Sequence, residues 1–410
     1  MPGDAYPKLR RYSAEPGWMN ARRRVGRAWA APHSPARAPG LDLARALAIA
    51  AVLACHSVVI VPVSPRSAVV LDCLGGEGVN LFFALSGFLI GRIALSRVDT
   101  PRDAGRFWAR RWFRTLPAGL VVAGLLGLAL NPSTRTFLAT VTFTRGLVRD
   151  ASQSSFLPHY WSLMIEEWFY LLLPLLLLAI GRGRSRLAWL GATWAGLALF
   201  RVLAAWALHL TFSQQMSLTW MRLDAILAGV VAAGAAPLFR GAAGRALCAA
   251  GWLGVAALFA VMLLADPVPA YGEHLLMTAP RTLGDLAHAA EASLLPLLFA
   301  LTLPAMAAWR PARPDGPGWR LVQVVALLSY ALYLVHWDIF RFVARTRAAA
   351  LHPHPAYGAA LVLSVLAALL VHAAVERPFM ALRDRVVPDK APHREPARDQ
   401  GENHLARARP

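Results

Sequence analysis

Residues 41–63 read Leu-Asp-Leu-Ala-Arg-Ala-Leu-Ala-Ile-Ala-Ala-Val-Leu-Ala-Cys-His-Ser-Val-Val-Ile-Val-Pro-Val. An apolar run of about 20 residues is the length at which a helix crosses the hydrocarbon core of a bilayer. Nine more runs of this kind follow, at 75–95, 115–131, 158–180, 187–210, 219–238, 246–265, 283–308, 321–343 and 356–376. The third is short, and the fourth carries two glutamates. The pattern predicts an all-α integral membrane protein of about ten transmembrane helices over residues 41–380. Polar, disordered tails are expected at 1–40 and 381–410.

Composition agrees with the run lengths. Of the 410 residues, 57% are hydrophobic and 16% are charged, against roughly 25% charged in a soluble domain. A soluble chain of this length needs more charge to cover its surface, so lipid is the better solvent. The three cysteines, Cys55, Cys73 and Cys248, make neither a disulfide framework nor a metal cluster and read as small buried apolar residues. His352 and His354 stand beside prolines in an outer loop, and no metal site is placed there or elsewhere.

The net charge of +19 raises the question of nucleic acid, but its distribution answers differently. With both termini on one side of ten spans, that side and its loops hold 32 of the 42 Lys and Arg residues, and the opposite loops hold 8. Short loops rich in Arg and Lys stay cytoplasmic, so both termini are assigned to the cytoplasm and no nucleic-acid partner is inferred. The first 40 residues are too long and too polar for a secretory signal. Only Lys8 and Lys390 are lysines. That preference for arginine, with abundant alanine, points to a high-GC bacterial genome and hence to the bacterial cytoplasmic (inner) membrane.

Ionisable side chains inside spans are costly and mark a site by default. Arg45 and His56 share the first span. Eleven residues at about 100° each return to nearly the same face, about 16 Å along the axis. One stripe therefore carries a guanidinium near the cytoplasm and an imidazole in the outer half. His336 in span nine and Glu166 and Glu167 in span four fall at similar depth below the outer face. Histidine titrates near neutrality and suits acid–base work, and a carboxylate at that depth would hold the ring. Glu166 is four residues from Ser162 and shares its helical face. Arg111 and Arg114 sit at the cytoplasmic edge, where arginine forks grip phosphate. The Gly-x-x-x-Gly spacing of Gly87 and Gly91 is read as close helix packing.

These motifs occur in an order that resembles the membrane-bound acyltransferase-3 family, which includes O-antigen and nodulation-factor acetylases and antibiotic acyltransferases. The resemblance is carried by Leu41-Asp42 with Arg45 and His56, by the stretch from Gly78 through Ser86 to Ile90, and by Arg110-Arg111-x-x-Arg114-x-x-Pro117. It continues through Trp161-Ser162 with Glu166, Glu167 and Tyr170, Arg222 with Asp224, Ser329 with Tyr333 and His336, and Glu376-Arg377-Pro378. Two positions depart from the family pattern: Asn80 stands where an acidic residue is usual, and Trp168 where glutamine is usual. No hydrolase-like domain follows the last span, so the reading is of a stand-alone membrane unit.

The resemblance implies an integral membrane O-acyltransferase. It would move an acyl group, most often acetyl, from acyl-CoA to a hydroxyl of a sugar, a cell-surface glycan or a glycosylated product. His56 would be the catalytic base or acyl carrier, with Glu166, or Glu167 in its place, orienting it. Arg45, Arg111 and Arg114 would hold the donor. Ser86, Tyr333 and His336 are placed on the acceptor side or behind the reacting groups. Acyl-CoA is the co-substrate, and no permanently bound cofactor is called for. The competing class is a multi-span exporter of a glycan or small molecule. Such a protein would show two symmetry-related halves with discontinuous helices, and no internal symmetry is visible.

Overall fold

The computed structural model describes residues 38–147, 156–210, 212–239, 241–265, 283–313 and 316–388. Most of the two expected tails lies outside these ranges. Helices α1 (Pro39–His56), α2 (Pro65–Arg97), α3 (Pro101–Leu130), α4 (Thr134–Val141), α5 (Trp161–Ile180), α6 (Arg186–Ala207) and α7 (Phe212–Ser217) form the first half. They are followed by α8 (Leu223–Ala235), α9 (Gly241–Ala265), α10 (Leu283–Ala308), α11 (Pro317–Ala344), α12 (Arg347–Leu351), α13 (Pro353–Val371) and α14 (Arg377–Val386). A π-helical turn, His372–Glu376, joins the last two. No strand occurs among the described residues.

Eight of these helical segments are long and apolar enough to cross a membrane. The other two expected spans appear as shorter apolar stretches, Leu223–Leu238 and Ala292–Ala308. The expected sixth span, 219–238, is interrupted because the fully buried Arg222 stands at its break. A 3-10 turn, Thr219–Met221, precedes Arg222 and α8 begins after it. Two other spans are longer than their apolar runs. Ser64 caps α2 by accepting from the Ser67 amide at 3.2 Å, with Pro65 in its first turn, so α2 starts ten residues before the apolar stretch. Thr100 caps α3 in the same way through the Asp103 amide, which makes the arginine-rich segment 101–114 the continuous base of a membrane helix. The last helix runs to Val386, inside the expected tail, because Arg110 on α3 donates to the Val387 carbonyl and to Asp384.

The molecule is inverted relative to a soluble protein. Leu128 is 86% exposed and Leu253 70%, while Arg201, Arg222, Asp224 and His336 are essentially covered. In a bilayer this is the favourable arrangement, with hydrocarbon on the outside and ionisable groups turned into the bundle. The cysteines are half-buried, not fully buried as expected.

Small residues bring the central helices close. A Cβ on Gly87 would meet the Ile226 carbonyl of α8, and one on Gly229 would meet the Ala84 carbonyl of α2. Gly91 lies against Val230 and Ala233. On another side of α2, Gly75 abuts Cys55 and Gly78 the Ala48 carbonyl of α1. Helices in lipid associate through such van der Waals contact, because hydrophobic exclusion gives no drive there. The effect is to lock α2 between α1 and α8.

Candidate active site

Two polar clusters lie inside the bundle, and one face of α5 connects them. The first is built on α3. Of the three arginines in Arg110-Arg111-x-x-Arg114, Arg110 is used to dock α14. Arg111 donates to the Tyr170 hydroxyl, stacks 4.0 Å over the Tyr170 ring centroid and approaches Glu166 at 3.9 Å. The Tyr170 hydroxyl donates to Glu166 Oε2 at 2.6 Å and lies 2.5 Å from Ser86 Oγ. A phenol oxygen has one hydrogen to give and two lone pairs, so Glu166, Arg111 and Ser86 use all of its capacity. Trp108 Nε1 donates to the Tyr170 carbonyl at 3.1 Å and secures the backbone there.

Arg114 is exposed and makes no hydrogen bond among the described residues. Arg45, Arg111 and Glu376 all lie within electrostatic reach of it. Arg45 is held by Asp42 one turn earlier on α1 at 3.2 Å. The structure therefore gathers Arg45, Arg111 and Arg114 at one end of the site. Glu376 belongs to the π turn, where its Oε2 lies 2.5 Å from His372 Nδ1.

The second cluster is built on α1 and α11. His56, the last residue of α1, places Nδ1 2.9 Å from His336 Nε2. The two ring planes lie within 25° of each other with centroids 5.0 Å apart, and Trp337 meets His56 edge-on at 4.6 Å. Tyr333, one turn before His336, donates to the His159 carbonyl at 2.9 Å and lies 2.6 Å from Ser162 Oγ. His159 sits in the 3-10 turn Pro158–Tyr160 that leads into α5, and its ring is 5.4 Å from that of His336. Arg145 holds the approach to this turn by donating to the carbonyls of Phe156 and Leu157 at 2.7 and 2.9 Å.

The clusters meet along α5. Ser162, Glu166 and Tyr170 are spaced four residues apart, so they share a face over about 12 Å at 1.5 Å per residue. Ser162 contacts the histidine cluster, and Glu166 and Tyr170 contact the arginine cluster.

One expected pairing differs in this geometry. Glu166 is expected beside His56, but its recorded partners are Tyr170 and Arg111, and the group on His56 is His336. The rotation of α5 aims Glu166 at α3 rather than at α1. Ser86, expected on the acceptor side or behind the reacting groups, contacts the Tyr170 hydroxyl at the arginine end. Glu167 points elsewhere from Glu166: it is buried, with Oε2 lacking a hydrogen-bond partner among the described residues. Tyr170 and His159 were given no role by the sequence. The same-face rule that links Ser162 to Glu166 would have found Tyr170 if carried one turn further. His159 had only its position beside Pro158 to mark it.

Asn80 accepts from Arg222 and, through Nδ2, lies 3.4 Å from Glu77 Oε2. A carboxylate thus stands one turn before the position where the family pattern has one. Trp168, the other departure, donates to the Phe143 carbonyl at 2.9 Å and braces the loop after α4.

A family profile described as an acyltransferase domain matches residues 39–373. The O-acetyltransferase OatA of Staphylococcus aureus (strain NCTC 8325 / PS 47) is 30% identical over 171 residues, covering 35% of this chain and 25% of the relative. Another protein of S. aureus (strain COL), which carries a provisional O-acetyltransferase name, is 30% identical over 165 residues with the same coverage. The match thus spans about a quarter of each relative's length. No solved structure matches the chain.

Proposed function

The chain belongs to the acyltransferase-3 family, and on that premise we propose that it is a membrane O-acyltransferase that moves an acetyl group from acetyl-CoA to a hydroxyl of a sugar, cell-surface glycan or glycosylated product. The observation that carries the reading is the polar face of α5, which runs from the arginine cluster to the histidine cluster inside an apolar bundle. A polyanionic donor needs cations at one end of its site, and the thioester needs an acid–base group some distance away. Arg114, with Arg45 and Arg111 close by, would take the donor phosphates through planar, bidentate contacts. The acyl arm would lie along Tyr170, Glu166 and Ser162, with the thioester near His56.

His56 is then the base. It takes the proton of the acceptor hydroxyl as that oxygen attacks the thioester carbonyl. The carbon–sulfur bond breaks, and the leaving thiolate recovers the proton from the imidazolium. The products are the O-acyl ester and free CoA thiol. The bacterial cytoplasmic membrane, with donor supplied from the cytoplasm, is the setting that the arginine asymmetry of the loops supports.

Purified protein in proteoliposomes, given radiolabelled acetyl-CoA and a panel of glycan acceptors, tests the reading. Label should appear in an alkali-labile ester on an acceptor, and His56→Ala should insert and purify normally while transferring none. Wild-type turnover by folded His56→Ala would remove His56 from the mechanism. The absence of labelled ester with every acceptor, alongside altered surface glycans in cells lacking the gene, would point to transport.

A further inference from the structure

We propose that His336 is a positioning residue that sets the tautomer of His56, leaving His56 Nε2 as the reacting nitrogen. The argument begins from backbone oxygens, which can only accept. His336 Nδ1 lies 3.0 Å from the Leu332 carbonyl and 3.0 Å from the Tyr333 carbonyl, both in its own helix. A bare lone pair there would face two others, so Nδ1 carries the hydrogen. In the neutral ring the other nitrogen is then an acceptor. His336 Nε2 is therefore bare, and it lies 2.9 Å from His56 Nδ1. That contact is a hydrogen bond only if His56 Nδ1 brings the proton. Neutral His56 consequently has no hydrogen on Nε2, the nitrogen for which no partner is seen among the described residues.

The anchor is rigid where the reacting ring is not. His336 is fully covered. His159 meets its ring at 5.4 Å and 63°, Tyr333 at 5.6 Å and 52°, and Phe340 at 5.9 Å and 89°. Turning the His336 ring over would put a carbon in place of Nδ1 and break both carbonyl contacts. His56 is half-buried at the end of α1, so without His336 its ring would be free to turn and to protonate on either nitrogen. In this arrangement His336 does for His56 what a carboxylate does in other histidine sites: it accepts from Nδ1 and fixes the ring. It does so with a neutral group, which avoids placing a second charge in the membrane interior. When His56 takes the acceptor proton on Nε2, its Nδ1–H bond to His336 becomes charge-assisted and shortens. The proton remains on His56 until the thiolate leaves.

The inference rests on the acyl-transfer reading for its kinetic consequences but not for its chemical one. Nitrogen-15 NMR of histidine-labelled protein in detergent reads the tautomer without turnover, with the His56 signals identified by their loss in His56→Gln. The expected result is a protonated Nδ1 and an unprotonated Nε2. A protonated Nε2 on neutral His56 would overturn the proposal. In the kinetic arm, His336→Leu removes the acceptor, whereas His336→Gln offers a side-chain oxygen in its place. His336→Leu should lower kcat about 100-fold or more, within the range of a general base, with the KM for acetyl-CoA unchanged. His336→Gln should recover most of that loss, and its His56 should keep the wild-type tautomer. Wild-type kcat in His336→Leu, or equal losses in both variants with the His56 tautomer unaltered, would sink it. A wild-type chain that transfers no acyl group would count against the function proposed above, and the NMR result would still decide the tautomer.

Discussion

The Tyr170 hydroxyl donates to Glu166 one turn earlier on α5, at 2.6 Å. It accepts from Arg111 at the same time, so a neutral phenol stands between a guanidinium and a carboxylate that are 3.9 Å apart. The ion pair is bridged as well as direct, and Ser86 on α2 adds a third helix to the contact. Tyr170→Phe keeps the ring and its stacking on Arg111 but removes the hydroxyl. Leaving buried partners unsatisfied costs about 1–3 kcal/mol. Thermal unfolding in detergent should register a lower midpoint, and turnover should fall together with stability. An unchanged midpoint would mean that Ser86, Arg111 and Glu166 find one another without the phenol.

Arg111 and Arg114 should separate under the same substitution. Lysine keeps the charge but loses the bidentate fork. Arg114 makes no protein hydrogen bond among the described residues, so Arg114→Lys should leave stability alone and raise the KM for acetyl-CoA, by about tenfold for a loss of about 1.4 kcal/mol. Arg111 is engaged by Tyr170 and Glu166, so Arg111→Lys should lower the unfolding midpoint as well. If Arg114→Lys binds donor like the wild type, the arginine serves topology rather than phosphate.

The adjacent glutamates differ by about 100° of helix, and their environments differ accordingly. Glu166→Gln retains an acceptor for Tyr170 but removes the charge opposite Arg111. A guanidinium left without its counter-ion in a low-dielectric interior is destabilising. We expect a lower unfolding midpoint, with turnover falling alongside it. Glu167→Gln replaces a carboxyl that has an unpartnered oxygen, so its midpoint should hold or rise and its turnover stay near wild type. The opposite ranking of the two variants would show that the helix faces the site with residue 167.

The ease of reading the spans and the difficulty of reading the site have one physical cause. Depth along a helix follows from where an apolar run begins, and on that basis His56 and His336 were placed in one layer. They are in contact. Rotation about the helix axis depends on neighbouring helices, and nothing local to Trp161–Tyr170 indicates that Glu166 turns to α3. The carboxylate was the chemically stronger candidate for a histidine partner, and the imidazole of α11 took the place. Helix starts were also missed where polar caps, Ser64 and Thr100, extend a helix beyond its apolar run. Capping depends on a side-chain oxygen reaching an amide two or three residues on, which a search for long apolar runs does not see.

The glycines of α2 give a test of the packing that holds α1, α2 and α8 in register. At Gly87 a methyl group would strike the Ile226 carbonyl, which is backbone and cannot move aside by changing rotamer. At Gly76, on the same helix, nothing lies within 4 Å of the added carbon. Alanine is favoured over glycine in a helix by roughly 0.5–1 kcal/mol when space allows. Gly76→Ala should therefore be neutral or slightly stabilising. Gly87→Ala must push α8 away, and overpacking of this kind typically costs about 1–3 kcal/mol. Because α8 begins directly after Arg222, whose guanidinium donates to Asn80 on α2, displacement at Gly87 should also strain that bond. Thermal unfolding of both variants in the same detergent provides the comparison. Equal midpoints would mean that α2 and α8 have room to spare, and that Arg222 rather than the glycine contact sets their spacing.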